Sequence, residues 1–400
     1  MQLKNYNSET DFLKDVESFA RSYLKNHAQE IDIKGKIPTD ITTELAERRL
    51  FAFDRLKDSD SPLDSKKRYE LIIKVIQMLA HISASTSKMV LDQNLGQVPM
   101  FIEYASEELK SKYIPKIQSG ESQMAFLMTE PQTGSVLSKF QCTGKRSNGG
   151  FLLNGSKDWI TGAETRSLFL VVAKSETNEK YFGLFFIDRT NKQFNQSIQI
   201  SARKEQLGLR GLGEHLVKFT DTFVPENHVI IPFGESTISK IMKHYSRKRC
   251  GQAAIAIGLS KSALNFSYNY LKERHPGREG RLAFQNAEFT CANMYSLIQA
   301  SEQLTEWAVA KVIDGDKTGV PCCIAKLFAT EVAVKITNSA IQLCGANATS
   351  QELPLERFMR DARMLTIVGG TSEIQKRTIA KALPNLLEVD KNWYNILGYN

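Results

Sequence analysis

The stretch whose reading decides the fold is Arg360-Asp361-Ala362-Arg363-Met364-Leu365-Thr366-Ile367-Val368-Gly369-Gly370-Thr371-Ser372-Glu373-Ile374-Gln375. It joins an Arg-Asp pair, two adjacent glycines and a Thr-Ser-Glu-Ile-Gln run, and it follows Pro354-Leu355-Glu356-Arg357. No one of these residues is informative alone. Their meaning comes from a series of equally distinctive segments upstream, read against what the whole chain can build.

At 400 residues the chain exceeds what one core usually supports, so two or three domains are expected. With 42% hydrophobic and 24% charged residues it reads as globular rather than disordered or fibrous. Clean apolar stretches such as Ala253-Ala254-Ile255-Ala256-Ile257 fall far short of the roughly 20 residues of a membrane helix. Met1 to Thr10 lacks a basic segment leading into an apolar one, so a cytoplasmic location is expected. The six cysteines, Cys142, Cys250, Cys291, Cys322, Cys323 and Cys344, have no metal-ligand spacing and read as reduced, buried thiols. A redox role for Cys322-Cys323 would need a strained vicinal disulfide. The net charge of +8 suits acidic partners such as CoA phosphates or an acidic carrier protein. Its cations are dispersed and carry no nucleic-acid motif, so nucleic acid is not expected.

Residues 1–122 read as an α-helical domain. Phe12, Val16, Phe19, Ala20 and Leu24 recur at helical spacing, Thr39-Asp40 opens a second helix, and a third runs from Ser65 to Leu79. Residues 123–232 change to short strand-like runs at 125–128, 150–153, 168–172, 181–187 and 215–219, with turns expected at Asn148-Gly149 and Asn154-Gly155. Residues 233–400 return to long helices, at 249–271, 284–313 and 323–343, long enough to span a bundle. The expected fold is therefore α+β in the order helical, β, helical.

Five further segments now join the opening one: Met128-Thr129-Glu130-Pro131-Gln132-Thr133-Gly134-Ser135, Lys157-Asp158-Trp159-Ile160-Thr161, Gly208-Leu209-Arg210-Gly211, Phe219-Thr220-Asp221 before Val224-Pro225, and Pro354 to Arg357. In this order they resemble the acyl-CoA dehydrogenase superfamily over residues 10 to 385. The resemblance implies an N-terminal helical domain, a middle β-barrel-like domain and a C-terminal four-helix bundle. It also implies an FAD-dependent oxidoreductase acting on an acyl thioester of CoA or acyl carrier protein, assembled as a homodimer or homotetramer.

A flavin that accepts hydride at N5 needs hydrogen-bond donors at its edge, which Thr129 and Thr161 can supply. Trp159 can cover one ring face, with Met128 and Ile160 beside it. Gly134 and Ser135 are small enough for close backbone approach to the diphosphate, although Val136 stands where the family has Asp. Arg274, His275, Arg278 and Arg281, ahead of Gln285, form a basic turn suited to the diphosphate. A solvated charge cluster is the alternative. Gln342 to Asn347, with Gly345, resembles the turn that receives the adenine end from a neighbouring subunit, and Thr371 and Glu373 match later flavin contacts.

The family's α-proton abstractor, a Glu, sits where this chain has Gly369. A subset carries it instead directly before an Arg that matches Arg249, and there this chain has Lys248. Three readings of these empty seats stand. The base has moved, with His244, one helical turn from Lys248, or Tyr245, Glu373 or a desolvated Lys248 as candidates. The chemistry needs no α-proton abstractor, as in a flavin monooxygenase or oxidase of a biosynthetic pathway or in relatives that eliminate a group. Or the chain is a catalytically silent partner subunit. Of these outcomes, α,β-dehydrogenation is the leading expectation.

Overall fold

A computed structural model describes residues 3–192, 196–277 and 282–387. Seven helices come first: α1 (Glu9–Phe19), α2 (Lys25–Lys34), α3 (Thr39–Glu47), α4 (Ser65–Ala80), α5 (Ala84–Leu95), α6 (Gln97–Tyr104) and α7 (Glu107–Gln118). A π-helical turn, Ala20–Leu24, joins α1 to α2 without a break. Side-chain caps start four of them: Ser8, Asp64, Ser83 and Ser106 each accept from a backbone N–H in the first turn. α5 was not foreseen because every one of its twelve residues is buried, which leaves no amphipathic stripe to read.

Eight strands follow: β1 (Met124–Leu127), β2 (Thr143–Ser147), β3 (Gly150–Thr161), β4 (Leu168–Ser175), β5 (Phe182–Asp188), β6 (Ile198–Ile200), β7 (Glu214–Pro225) and β8 (Val229–Gly234). They form one sheet in the order β6-β7-β3-β2-β4-β5-β8, with β1 added parallel to β4. β4 and β5 explain how the sheet joins the helices. Side chains alternate along them, so Leu168, Leu170, Leu184 and Phe186 enter the large core shared with the helices. Phe169, Val171, Phe185 and Ile187 fill a second core inside the β domain. Phe186 meets Phe101 and Tyr113 with ring centroids 5.0 and 4.7 Å apart.

The turn at Asn148-Gly149 is present, Gly149 taking a φ of 74° between β2 and β3. The second expected turn, Asn154-Gly155, lies inside β3 instead. The β3–β7 register shifts there, Gly155 has a φ of 128°, and an added Cβ would lie 2.6 Å from Cys142 Cα. Asn154 donates to Asp221 and accepts from its backbone N–H, so the dipeptide makes a bulge facing β7 rather than a reversal.

The last region holds α8 (Thr237–Arg274), α9 (Gln285–Ile313), α10 (Val320–Cys344), α11 (Leu355–Leu365) and α12 (Ser372–Leu387). α8 begins twelve residues before the expected Arg249, because Ile241, His244 and Lys248 already face inward. Arg360 and Asp361 tie three parts together: Arg360 pairs with Asp32 at 2.5 Å and donates to the Leu207 carbonyl at 3.0 Å, while Asp361 accepts from Leu209 N–H at 2.6 Å. Among the described residues no helix is long and apolar enough to cross a membrane.

α4 and α8 approach closely at Gly258, where a Cβ would lie 2.5 Å from the Gln77 carbonyl oxygen and 2.7 Å from Ala80 Cβ. Gly258→Ala should cost about 1–3 kcal/mol by overpacking, read from the urea midpoint, despite the better helix propensity of alanine. An unchanged midpoint would mean the two helices sit further apart.

Candidate active site

Asp92 is the centre of a buried polar seam between the three regions. It is 1% exposed and is met by Lys88 Nζ at 2.6 Å, Lys248 Nζ at 2.7 Å and Arg166 Nη2 at 3.0 Å. Lys88 and Asp92 lie one turn apart on α5, Lys248 comes from α8, and Arg166 comes from the β3–β4 connection. Gly162 makes that approach possible: its φ is 68°, and a Cβ there would lie 2.8 Å from Arg166 Nε. Burial alone would raise the Asp92 carboxyl, yet Lys248, Lys88 and Arg166 together hold it well below the usual range. Burial brings Lys88 down to about 8 against the pull of Asp92.

Glu214 adjoins this seam. It stands opposite Thr161 in the β3–β7 register and accepts from the Thr161 hydroxyl at 2.8 Å. Its other oxygen, Oε2, is buried without a hydrogen-bond partner. Burial pushes its carboxyl up to about 8, outweighing the Thr161 donor and the nearby Lys88 and Arg166 cations. Glu214, Asp92, Lys88 and Arg166 were all missed from sequence. The available signal was charge set inside apolar runs, as in the stretch from Ser87 to Leu95.

The seats read as empty are both filled. Lys248 is committed to Asp92, and Arg249, 7% exposed, donates to Cys323 Sγ at 3.0 Å. His244 lies one turn earlier but reaches α6, with Nε2 3.0 Å from Glu103 Oε2 and its ring edge-on to Tyr104. Burial takes this imidazole down to about 4, so it is neutral near pH 7. Tyr245 packs against Phe126. Glu373 is exposed at the start of α12, its carboxyl held below the usual range by its own backbone N–H and by Thr371. At Gly369, φ 72°, a Cβ would lie 2.1 Å from both amide atoms of Gln252, which fills the space a side chain there would take. Lys326 and Gln375 hold the loop by donating to the Gly370 carbonyl at 2.8 and 2.7 Å.

The expected flavin residues fall into separate groups. Met128 and Thr129, at the end of β1, join residues 157–161 through Lys157 Nζ to the Met128 carbonyl at 3.1 Å and Asp158 N–H to the Thr129 carbonyl at 2.8 Å. Glu130 is structural here: it accepts from Lys157, Gln141 and Cys142 and fixes the loop carrying the exposed Gly134 and Ser135. Trp159 sits on a β3 bulge at a φ of 55°, which turns its indole outward to 51% exposure while Ile160 stays buried. A rigid exposed indole beside two threonines fits a flat aromatic heterocycle such as a flavin ring. Separately, Arg274 and Asn347 meet on the Tyr270 hydroxyl at 2.6 and 2.8 Å, joining the basic turn to the Gln342–Asn347 turn. Arg274, Gln285, Gln342 and Gly345 are all exposed. Thr371 caps Ile374 N–H, and Arg278 and Arg281 lie outside the described residues.

Two substitutions test this seam. Asp92→Asn leaves three buried cations without their counter-ion and should cost about 3–5 kcal/mol in denaturant unfolding. An unfolded Glu ionises near pH 4.3, whereas Glu214 keeps its proton to about 8 in the fold. Between those values the native state binds more protons, so Glu214 makes stability fall as pH rises. Glu214→Gln should therefore gain on the parent between about pH 5 and pH 8, and parallel stability curves would exclude the shift.

The chain matches three family descriptions in order: Acyl-CoA dehydrogenase, N-terminal domain over residues 7–121; middle domain over 125–222; and C-terminal domain over 238–383. It is 29% identical over 381 residues to a 3-sulfinopropanoyl-CoA desulfinase of Paraburkholderia xenovorans, covering 94% of this chain and 96% of that one. It is 31% identical over 311 residues to the mitochondrial short/branched chain specific acyl-CoA dehydrogenase of Rattus norvegicus, covering 77% and 71%. Butyryl-CoA dehydrogenase from Megasphaera elsdenii superposes with a TM-score of 0.86 at 25% identity, covering 96% of this chain and 100% of that one. A glutaryl-CoA dehydrogenase of Mycobacterium smegmatis solved in complex with FADH2 shares the fold, with a TM-score of 0.84 at 19% identity over 94% and 95% of the two chains. The chain belongs to the acyl-CoA dehydrogenase family of flavoprotein oxidoreductases.

Proposed function

We propose that this chain binds FAD and oxidises an acyl thioester at its α and β carbons, the acyl group being carried by CoA or by an acyl carrier protein. The observation that carries the reading is the convergence of Thr129, Trp159 and Thr161 at the β3 bulge, directly against the buried seam of Glu214, Asp92 and Lys248. FAD would supply the hydride acceptor. Thr161 and the backbone around Thr129 would hold its edge, Trp159 would cover one face, and the seam would lie beside the acyl group and keep water out. Arg274, Gln285, Gln342 and Gly345, exposed in one chain, suit a diphosphate and adenine end held across a dimer or tetramer interface. His244 and Lys248 remain the candidates on α8 for handling the α-proton, with Arg249 beside them as a further catalytic candidate, and Glu214 joins them as a carboxyl next to Thr161.

A second reading is favoured by one observation. An amide, Gln252, fills the space at Gly369, and an amide takes no proton near pH 7. That suits a monooxygenase, or an elimination for which the similar 3-sulfinopropanoyl-CoA desulfinase is a precedent.

Anaerobic mixing of the yellow protein with a panel of acyl-CoAs separates these readings. Loss of the oxidised flavin colour supports dehydrogenation. No bleaching by any thioester would overturn it, and oxygen uptake fed by an NAD(P)H reductase, with a product heavier by one oxygen, would replace it with the oxygenase.

A further inference from the structure

Gln252 stands out among the buried polar groups. It is 0% exposed, and neither Nε2 nor Oε1 has a hydrogen-bond partner in the protein. A buried amide left unsatisfied is destabilising, so it is kept only where something else is gained. The amide is pressed into the space over Gly369, where any side chain would collide with it. It lies one helical turn after Lys248, so the same face of α8 carries it towards the Asp92 seam. Gly369 belongs to a loop fixed from two sides by Lys326 and Gln375, so the backbone against the amide is held in place. A fixed glycine and an unpartnered amide facing the same space describe a contact waiting for a polar atom from outside the chain.

We propose that Gln252 contacts the substrate, its Nε2 donating to the carbonyl oxygen of the acyl thioester. The carbonyl is the acceptor that such a molecule brings to its reacting carbons, and a neutral donor there polarises the group without removing a proton. This rests on the reading of the site as an acyl-thioester site. It assigns to Gln252 the place beside the acyl group that a side chain at position 369 would otherwise take.

The test uses the flavin-loaded protein, with butyryl-CoA as the probe. Gln252→Leu keeps the bulk and removes both polar atoms. It should raise the unfolding temperature, because an unsatisfied amide has gone, and weaken butyryl-CoA binding about tenfold in a calorimetric titration. Unchanged affinity overturns the proposal whatever the stability does. A variant that unfolds or melts earlier with affinity retained also overturns it, by showing the amide to be structural. If the parent itself binds no butyryl-CoA or any longer acyl-CoA, the thioester reading fails as well, which sets that outcome apart. Gln252→Glu adds a second readout: a carboxylate at this point should exchange the α-protons of bound butyryl-CoA for deuterium in D2O at least tenfold faster than the parent, and equal rates would place residue 252 away from the α-carbon.

Discussion

One carboxylate holds the three regions of this molecule in register. Asp92 gathers a lysine from its own helix, a lysine from α8 and an arginine from the β3–β4 connection, all buried. Such an arrangement is costly to assemble, because every ion must leave water, and it persists only when the partners are complete and well placed. The apolar packing around it is extensive but non-directional. The ion cluster supplies the direction, since α5, α8 and the sheet can satisfy it in few relative positions.

The same seam sets the chemistry available beside the Trp159 bulge. It presents fixed positive charge and a carboxyl at Glu214 that stays protonated near neutrality, while the neutral imidazole of His244 is turned away towards α6. These charges are buried, so each acts at greater strength than it would at the surface. A dehydrogenase needs somewhere to put a proton, and the two positions where the resemblance would place a carboxylate hold Gly369 and Lys248.

Much of the architecture was readable from the chain. The ordered segments around Thr129, Trp159 and Arg360 pointed to the family, and the strands at 168–172 and 181–187 announced themselves by continuous apolar residues, as doubly buried strands do. α5 escaped because total burial erases periodicity. Asn154-Gly155 misled because the features that favour a reversal also favour a bulge, and only the cross-strand Asp221 decides between them. The site was less legible for a related reason. Lys88, Asp92, Arg166, Glu214 and Lys248 come from four elements far apart in sequence, and nothing local in any of them signals the others.

The bulge at Trp159 carries one more consequence. The chain has three tryptophans: Trp393 lies outside the described residues, Trp307 sits on α9, and Trp159 projects from the sheet beneath the Lys204 ammonium, 5.0 Å from its ring. An indole pinned by its backbone yet open to its surroundings changes its light emission when another ring covers it. The protein therefore has a native optical probe on the β3 bulge, and Trp307→Phe with Trp393→Phe would leave that indole as the source of the tryptophan signal.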